Sequence, residues 1–310
     1  MGNTTAETSE TESNTRAASG ILFGGAAFLI WGFSPVYWKV IQAVPAPEII
    51  AHRIIWSFVF LVPLILYRGR WRAFTATFRD PKTLLILLCT SIFVGANWLI
   101  YIWAVNNGHI LQASLGYYIN PLVNVLLGML FLGERLRRAQ GMAVLLAAAG
   151  VVYLTVQYGV FPWISLTLAF SFGLYALIRK VVAVGSLIGL TIETLLLGLP
   201  ALGYLFYLEG TGSGSFLHAG LQTSFFLLGS ALVTALPLLL FTLGARRLTL
   251  ASLGFLQYLA PTCMFLLGVL VYHEPFSRAQ LVTFILIWTA LGLYSADSVR
   301  VYRRTARARA

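Results

Sequence analysis

The chain has 310 residues, 59% of them hydrophobic and only 10% charged, with a net charge of +11 and a mean hydropathy of +0.83. A soluble protein carries about a quarter of its residues as charges to cover its surface, so this composition excludes a water-soluble domain and predicts an all-α membrane protein. At about 20 apolar residues per crossing, the length holds ten spans and leaves no room for a large extramembrane domain.

The first 19 residues are rich in Thr, Ser and Glu and lack the basic-then-apolar pattern of a signal peptide. They are expected as a disordered cytoplasmic tail. Apolar runs between polar, glycine and proline breaks then predict helices over 21–41, 47–67, 83–105, 110–132, 139–157, 161–179, 186–208, 222–243, 249–272 and 279–297. A basic tail, 298–310, follows. Cys89 and Cys263 fall inside apolar runs, form no CxxC motif and are expected to be packing residues.

The basic residues cluster at alternate turns. Arg68, Arg70, Arg72, Arg79 and Lys82 lie between spans two and three, and Arg135, Arg137 and Arg138 between four and five. Arg179 with Lys180, and Arg246 with Arg247, occupy the next such turns. With Arg16 and the five arginines after span ten, these make 18 of the 21 Lys and Arg. This alternation is what the positive-inside rule produces for ten spans with both termini in the cytoplasm. It explains the charge of +11 without nucleic acid.

Residues 121–140 laid over 261–280 agree at nine of twenty positions, among them Pro121/Pro261, Gly128/Gly268, Glu134/Glu274 and Gln140/Gln280. Ala113-Ser114-Leu115-Gly116 recurs as Ala251-Ser252-Leu253-Gly254, and a shift of 141 puts Gly32 on Gly173 and Lys39 on Lys180. The repeat holds five helices, an odd number, so the second copy enters the membrane from the opposite side. The expected organisation is therefore a first five-helix repeat over 20–157 and a second over 158–297, the inverted arrangement of secondary transporters.

Several stretches resemble one family. They are Trp31-Gly32-Phe33-Ser34-Pro35, His52-Arg53-Ile54-Ile55-Trp56-Ser57, Asn97-Trp98 with Ile102 to Asn107, Asn120-Pro121-Leu122-Val123-Asn124, and Gln257-Tyr258 before Pro261. On these residues the chain resembles the RarD family of EamA-type permeases in the drug/metabolite transporter superfamily. One departure is Gln112, where the family pattern tends to carry a glutamate. The resemblance implies a multi-pass permease of the bacterial cytoplasmic membrane, favours export, and associates the family with chloramphenicol sensitivity.

An ionised side chain at a helix centre costs about 2.5–3.5 kcal/mol on the insertion scale, so those inside spans need a reason. His52 and Arg53 lie in span two and Glu193 at a matching depth in span seven, where the shift of 141 pairs it with His52. His52 and Arg53 are expected to bind or orient a polar or anionic substrate group, with Glu193 as counter-charge or proton carrier. The alternative is a buried ion pair that only locks the two spans. Neighbours on a helix point about 100° apart, so His52 and Arg53 do not both face one point.

Asn97 and Tyr101 share a face of span three, and Tyr117, Asn120 and Asn124 share one in span four beside Pro121. Gln257 and Tyr258 precede Pro261 in span nine, and Trp31 and Tyr175 are candidates for stacking on a planar substrate. Interhelical packing is the alternative for all of these. Glu134 and Glu274 are expected to cap the helix that follows each, and Asn106 and Asn107 to cap span three.

No phosphate-binding loop or His-Glu-x-x-His zinc motif occurs, and the aspartates, Asp80 and Asp297, sit at helix edges. No cofactor or metal is expected, and the chain is not expected to be an enzyme. The leading expectation is a secondary-active transporter of small metabolites or drugs by alternating access. Its partners are a small-molecule substrate and the lipid bilayer, a homodimer being left open. The alternatives are an intramembrane enzyme acting on a lipid-linked substrate, and a channel or structural membrane partner.

Overall fold

In hydrocarbon no water is available to bond exposed backbone groups, so an apolar run must satisfy its N–H and C=O groups within its own helix. The computed structural model describes residues 3–133, 137–158, 161–245, 247 and 256–307, and those segments are helical throughout their apolar lengths. The elements are α1 (Asn3–Val40), α2 (Ala46–Tyr67), α3 (Trp71–Thr77), α4 (Pro81–Asn106), α5 (Ile110–Leu132), α6 (Arg138–Tyr158), α7 (Trp163–Val181), α8 (Ser186–Gly210) and α9 (Leu221–Ala245). After them come α10 (Leu259–Leu266), which continues as a π-helical turn over Leu267–Val271, and α11 (Arg278–Arg307).

Eight of these helices are long and apolar enough to cross a membrane, and Trp163–Arg179 and Leu259–Val271 are shorter apolar helices. The expected start of span nine, 249–255, lies outside the described residues, as does Glu134. α1 begins at Asn3 and α11 runs to Arg307, so the segments expected as tails continue the neighbouring spans as helix. Extending an existing helix costs one residue's freedom for one hydrogen bond, whereas starting one costs several. The loop expected after span two contains α3, whose Phe74 is buried.

Helix ends carry identifiable stops. Asp80 caps α4, its Oδ1 accepting from the Lys82 and Thr83 amides at 3.1 and 3.4 Å and its Oδ2 from the Thr83 hydroxyl at 2.6 Å. Gly133 closes α5 in the left-handed region, φ 64°, a conformation that costs a side-chain-bearing residue more. Asn107 caps the end of α4 by donating to the Trp103 carbonyl at 2.8 Å.

Glu274 corrects the expectation that it caps the helix after it. Its two carboxylate oxygens accept from the Ile110 and Leu111 amides at 2.7 and 2.9 Å, so it caps α5 from across the bundle. The helix dipole favours an acid at that N-terminus.

The turn bearing Glu274 therefore lies at the end of the bundle where α4 passes to α5. The α8–α9 loop is tied to the same end, because Glu48 near the start of α2 accepts from the Ser215 amide and hydroxyl. The other end carries Arg68, Arg70, Arg72, Arg79 and Lys82. There Arg137, the residue before α6, pairs with Asp297 of α11. It is called the basic end below.

The principal helix contacts are α1 with α9 and α10, α2 with α8 and α9, α4 with α7 and α8, α5 with α7 and α10, and α6 with α11. The core that matters for function lies between α1, α2, α4, α5, α7 and α9.

Candidate functional site

Arg53 sits on the inward face of α2, buried, as are its helix neighbours Ile49, Ile50 and Ile54. Its guanidinium carbon lies 4.3 Å from the centroid of the Trp98 ring and 5.3 Å from that of Trp38. Its Nε donates to Thr234 Oγ1 of α9 at 2.8 Å. Among the described residues no carboxylate pairs with it. A buried cation without a counter-ion is costly; two aromatic faces and a hydroxyl offset part of that cost.

Next to Arg53, Tyr101 and Tyr117 meet edge to face at 5.8 Å. The Tyr101 hydroxyl shares a 2.7 Å hydrogen bond with Ser34 of α1, and Tyr117 donates to Asn97 Oδ1 at 3.4 Å. Asn97 in turn donates to the Leu168 carbonyl and the Ser171 hydroxyl of α7, both at 3.0 Å. Four sequence-predicted residues, Arg53, Asn97, Tyr101 and Tyr117, thus converge, and they do so from three helices. Trp38, Ser34 and Thr234 complete the cluster. Trp38 is four residues from Ser34 on α1 and so shares its face, a signal available in the sequence.

Glu193 lies elsewhere. It is fully buried on α8, with the Thr90 hydroxyl of α4 at 2.7 Å from Oε1 and Tyr175 of α7 donating to Oε2 at 3.2 Å. Its cationic neighbour is Arg179, Nε to Oε1 3.7 Å, and not Arg53. The expected alternative of an Arg53–Glu193 lock is therefore corrected. Arg53 is seven residues inside one end of α2 and Glu193 seven inside the opposite end of α8, so equal depth from opposite faces keeps them apart. Arg179, assigned by sequence to a basic turn, reaches back into the bundle; nothing in the charge pattern distinguished it.

The other candidates disperse. His52 is buried with both ring nitrogens unpartnered among the described residues, its ring tilted at 34° and 4.9 Å from that of Phe216 in the α8–α9 loop. It lines a cavity of about 280 Å³ with Glu48, Trp56 and Glu209, on a different side of α2 from Arg53. Asn120 donates to the Ala169 carbonyl at 3.0 Å and accepts from Asn124 at 3.1 Å, bracing α5 against α7. Trp31 packs on Phe28 and Phe241, at 5.5 and 5.9 Å. Tyr258 stacks at 6.4 Å on Tyr118, whose ring also meets Phe284 and Trp288 edge to face, and Gln257 is half-buried in the turn before α10. Among the described residues no group of three His, Cys, Asp or Glu could hold a metal.

Comparison with known proteins adds identity to this geometry. The profile of the EamA-like transporter family matches residues 18–156. "Protein RarD" of Salmonella typhi is 46% identical over 92% of this chain and 97% of its own length. "Uncharacterized transporter YojE" of Bacillus subtilis is 48% identical over 91% and 95%. "Chloramphenicol-sensitive protein RarD" of Pseudomonas aeruginosa is 33% identical over 94% and 98%. A solved crystal structure aligns over 92% of this chain and 99% of its own at a TM-score of 0.59 and 22% identity, a likeness of fold alone.

Proposed function

The chain belongs to the RarD-like family of EamA-type transporters in the drug/metabolite transporter superfamily, and from that premise we propose how it moves its substrate. It is a secondary-active transporter of small molecules in a bacterial membrane. Ten spans form two inverted five-helix repeats, 20–157 and 158–297, with both termini cytoplasmic and the segments 1–19 and 298–310 flanking them.

Two features support the inverted repeat. The helix contacts pair off: α1 on α10 has its counterpart in α7 on α5, and α1 on α9 in α7 on α4. Gly32 of α1 packs against Ala260 and Cys263, and Gly173 of α7 against Val123 and Leu127. The repeat in the sequence pairs Gly32 with Gly173 and position 263 with 123. An internal two-fold of this kind lets the halves exchange roles around a midplane site.

Arg53 is the substrate-recognition group, and the single observation that carries this is its burial with no carboxylate partner among the described residues. An anionic or strongly electronegative group of the substrate completes its electrostatics, while Trp98, Tyr101 and Tyr117 form walls suited to an apolar or planar body. Asn97 and Asn120 set the wall that α4 and α5 present to α7. Glu193, screened from Arg53, serves coupling, as a proton carrier or counter-charge. The Pseudomonas relative's name puts chloramphenicol among the compounds to test.

The test is counterflow in proteoliposomes with labelled organic anions and with chloramphenicol. Saturable counterflow that Arg53→Gln abolishes in correctly inserted protein is expected. Normal counterflow in that variant would remove Arg53 from the site, and chemical conversion of the compound would replace the carrier by an enzyme. Glu193→Gln is expected to abolish or uncouple transport; uptake that stays driven by a proton gradient would remove Glu193 from coupling.

A further inference from the structure

Arg179, Gly189 and Glu193 lie apart from the Arg53 cluster yet form one built unit. Arg179 is near the end of α7, but its side chain is only 12% exposed and turns back over α8. Its Nη2 lies 3.4 and 3.5 Å from the carbonyl oxygens of Val184 and Gly185, its Nε 3.7 Å from Glu193 Oε1, and its Nη1 is buried without a partner. Gly189 makes this possible. It is one turn before Glu193 on the same face of α8, and a Cβ there would land inside the guanidinium of Arg179. With Thr90 of α4 and Tyr175 of α7 also on the carboxylate, three helices meet at one buried acid near the basic end.

The pseudo-equivalent place in the first half is built differently. The shift of 141 that pairs Glu193 with His52 also pairs Arg179 with Trp38 and Gly189 with Glu48. At the opposite end of the bundle, His52 therefore has no ion pair, and Glu48 holds the α8–α9 loop through Ser215. One end carries a loop docked on an acid, the other a buried ion pair.

We propose that the Arg179–Glu193 pair, seated on Gly189, is the gate at the basic end. Closed, it holds α7 against α4 and α8; separated, it opens a path from the Arg53 cluster to that side of the membrane. At 3.7 Å, with one guanidinium nitrogen unpartnered, the contact is looser than a bidentate bridge, which suits a contact that must break in each cycle. This gate rests on the alternating-access reading above.

The test needs no substrate. Ser57 is fully buried, four residues from Arg53 on the same face of α2 and nearer the basic end. In full-length protein with Cys89→Ser and Cys263→Ser, Ser57→Cys reports water access through its reaction with an impermeant methanethiosulfonate, added from either side of oriented vesicles. Gly189→Ala meets only the far end of a flexible side chain, so it displaces Arg179 while sparing the fold, and Glu193→Gln removes the charge without changing shape. Each is expected to raise labelling from the basic side about tenfold, within the range of ordinary two-state coupling. Unchanged labelling in both variants, as monodisperse protein, shows a fixed brace and overturns the gate. An equal rise from both sides shows general loosening and also overturns it. If labelling responds as expected but no compound gives counterflow, the Arg53 site fails and the gate stands.

Discussion

Arg53 and Thr234 are joined by a 2.8 Å hydrogen bond from guanidinium Nε to Oγ1, so the buried cation of α2 is anchored to α9 by a neutral hydroxyl. A hydroxyl orients the guanidinium without neutralising it, leaving its charge for something else. Trp98 and Trp38 hold its plane from two other helices, which makes the charge rigid as well as available. A rigid, unneutralised guanidinium is suited to planar recognition of an anionic group.

Thr234→Val keeps the shape of the side chain and deletes the acceptor. Hydrogen bonds to charged groups contribute about 1.5–3 kcal/mol, so the variant is expected to melt lower by that equivalent and to bind substrate more weakly. Thr234→Ser is expected to restore both. Arg53→Lys keeps the charge but cannot stack between two indoles while bonding Thr234, and is expected to remain as impaired in counterflow as Arg53→Gln. Thermal unfolding in detergent and counterflow rates check these outcomes together.

Glu274→Gln tests the cap that reaches α5 from across the bundle. The carboxylate accepts two backbone N–H groups at a helix N-terminus; caps of this kind are worth about 0.5–2 kcal/mol. The amide substitute keeps one acceptor and loses the charge, so the loss is expected near 1 kcal/mol by the same scale. Amide exchange at Ile110 and Leu111 should quicken before any global change. Unaltered exchange at those two positions would dismiss the cap.

Much of the architecture was legible because the bilayer forces helices and because few charges were available to mislead. The boundaries of α2, α5 and α8 fall within about two residues of the apolar runs, the precision such boundaries allow. The site was legible only where residues share a helix face. Asn97 and Tyr101 were found that way, and the 100° divergence of His52 and Arg53 is realised in their separate surroundings. Arg179 was hidden because its position beside Lys180 fits a topology signal, and whether a long side chain turns outward or back depends on Gly189 ten residues later. Glu274 was misassigned because a cap that bridges distant segments leaves no local spacing to find.

Asp80 sets the acid behaviour of the α4 entrance. Its bond from the Thr83 hydroxyl, with those from the Thr83 and Lys82 amides, holds its carboxyl below the usual carboxylate range. A depressed acid contributes stability above its unfolded value and loses it as pH falls through the folded one. The first turn of α4 is therefore expected to stay protected at neutral pH and to fray as Asp80 protonates in acid. Amide exchange at Lys82 and Thr83 across an acid titration should show this, and Asp80→Ala, which deletes both acceptors, should show the frayed exchange rate already at neutral pH.

Gly32 and Gly173 occupy pseudo-equivalent places, yet their substitution by alanine is expected to differ. A Cβ on Gly32 would lie 2.7 Å from Cys263 Cβ and 3.1 Å from the Cα and carbonyl oxygen of Ala260, all fixed to backbone. On Gly173 the nearest atoms are Val123 Cγ1 at 2.9 Å and Leu127 Cδ1 at 3.0 Å, both methyl groups that a rotamer change can move. Overpacking costs about 1–3 kcal/mol; Gly32→Ala should fall at the upper end and Gly173→Ala at the lower. The helix pair α1–α10 must then separate, whereas α7–α5 repacks in place. Comparing the two melting temperatures in the same detergent checks the order, and equal losses would mean that the α1–α10 contact yields as readily as its counterpart.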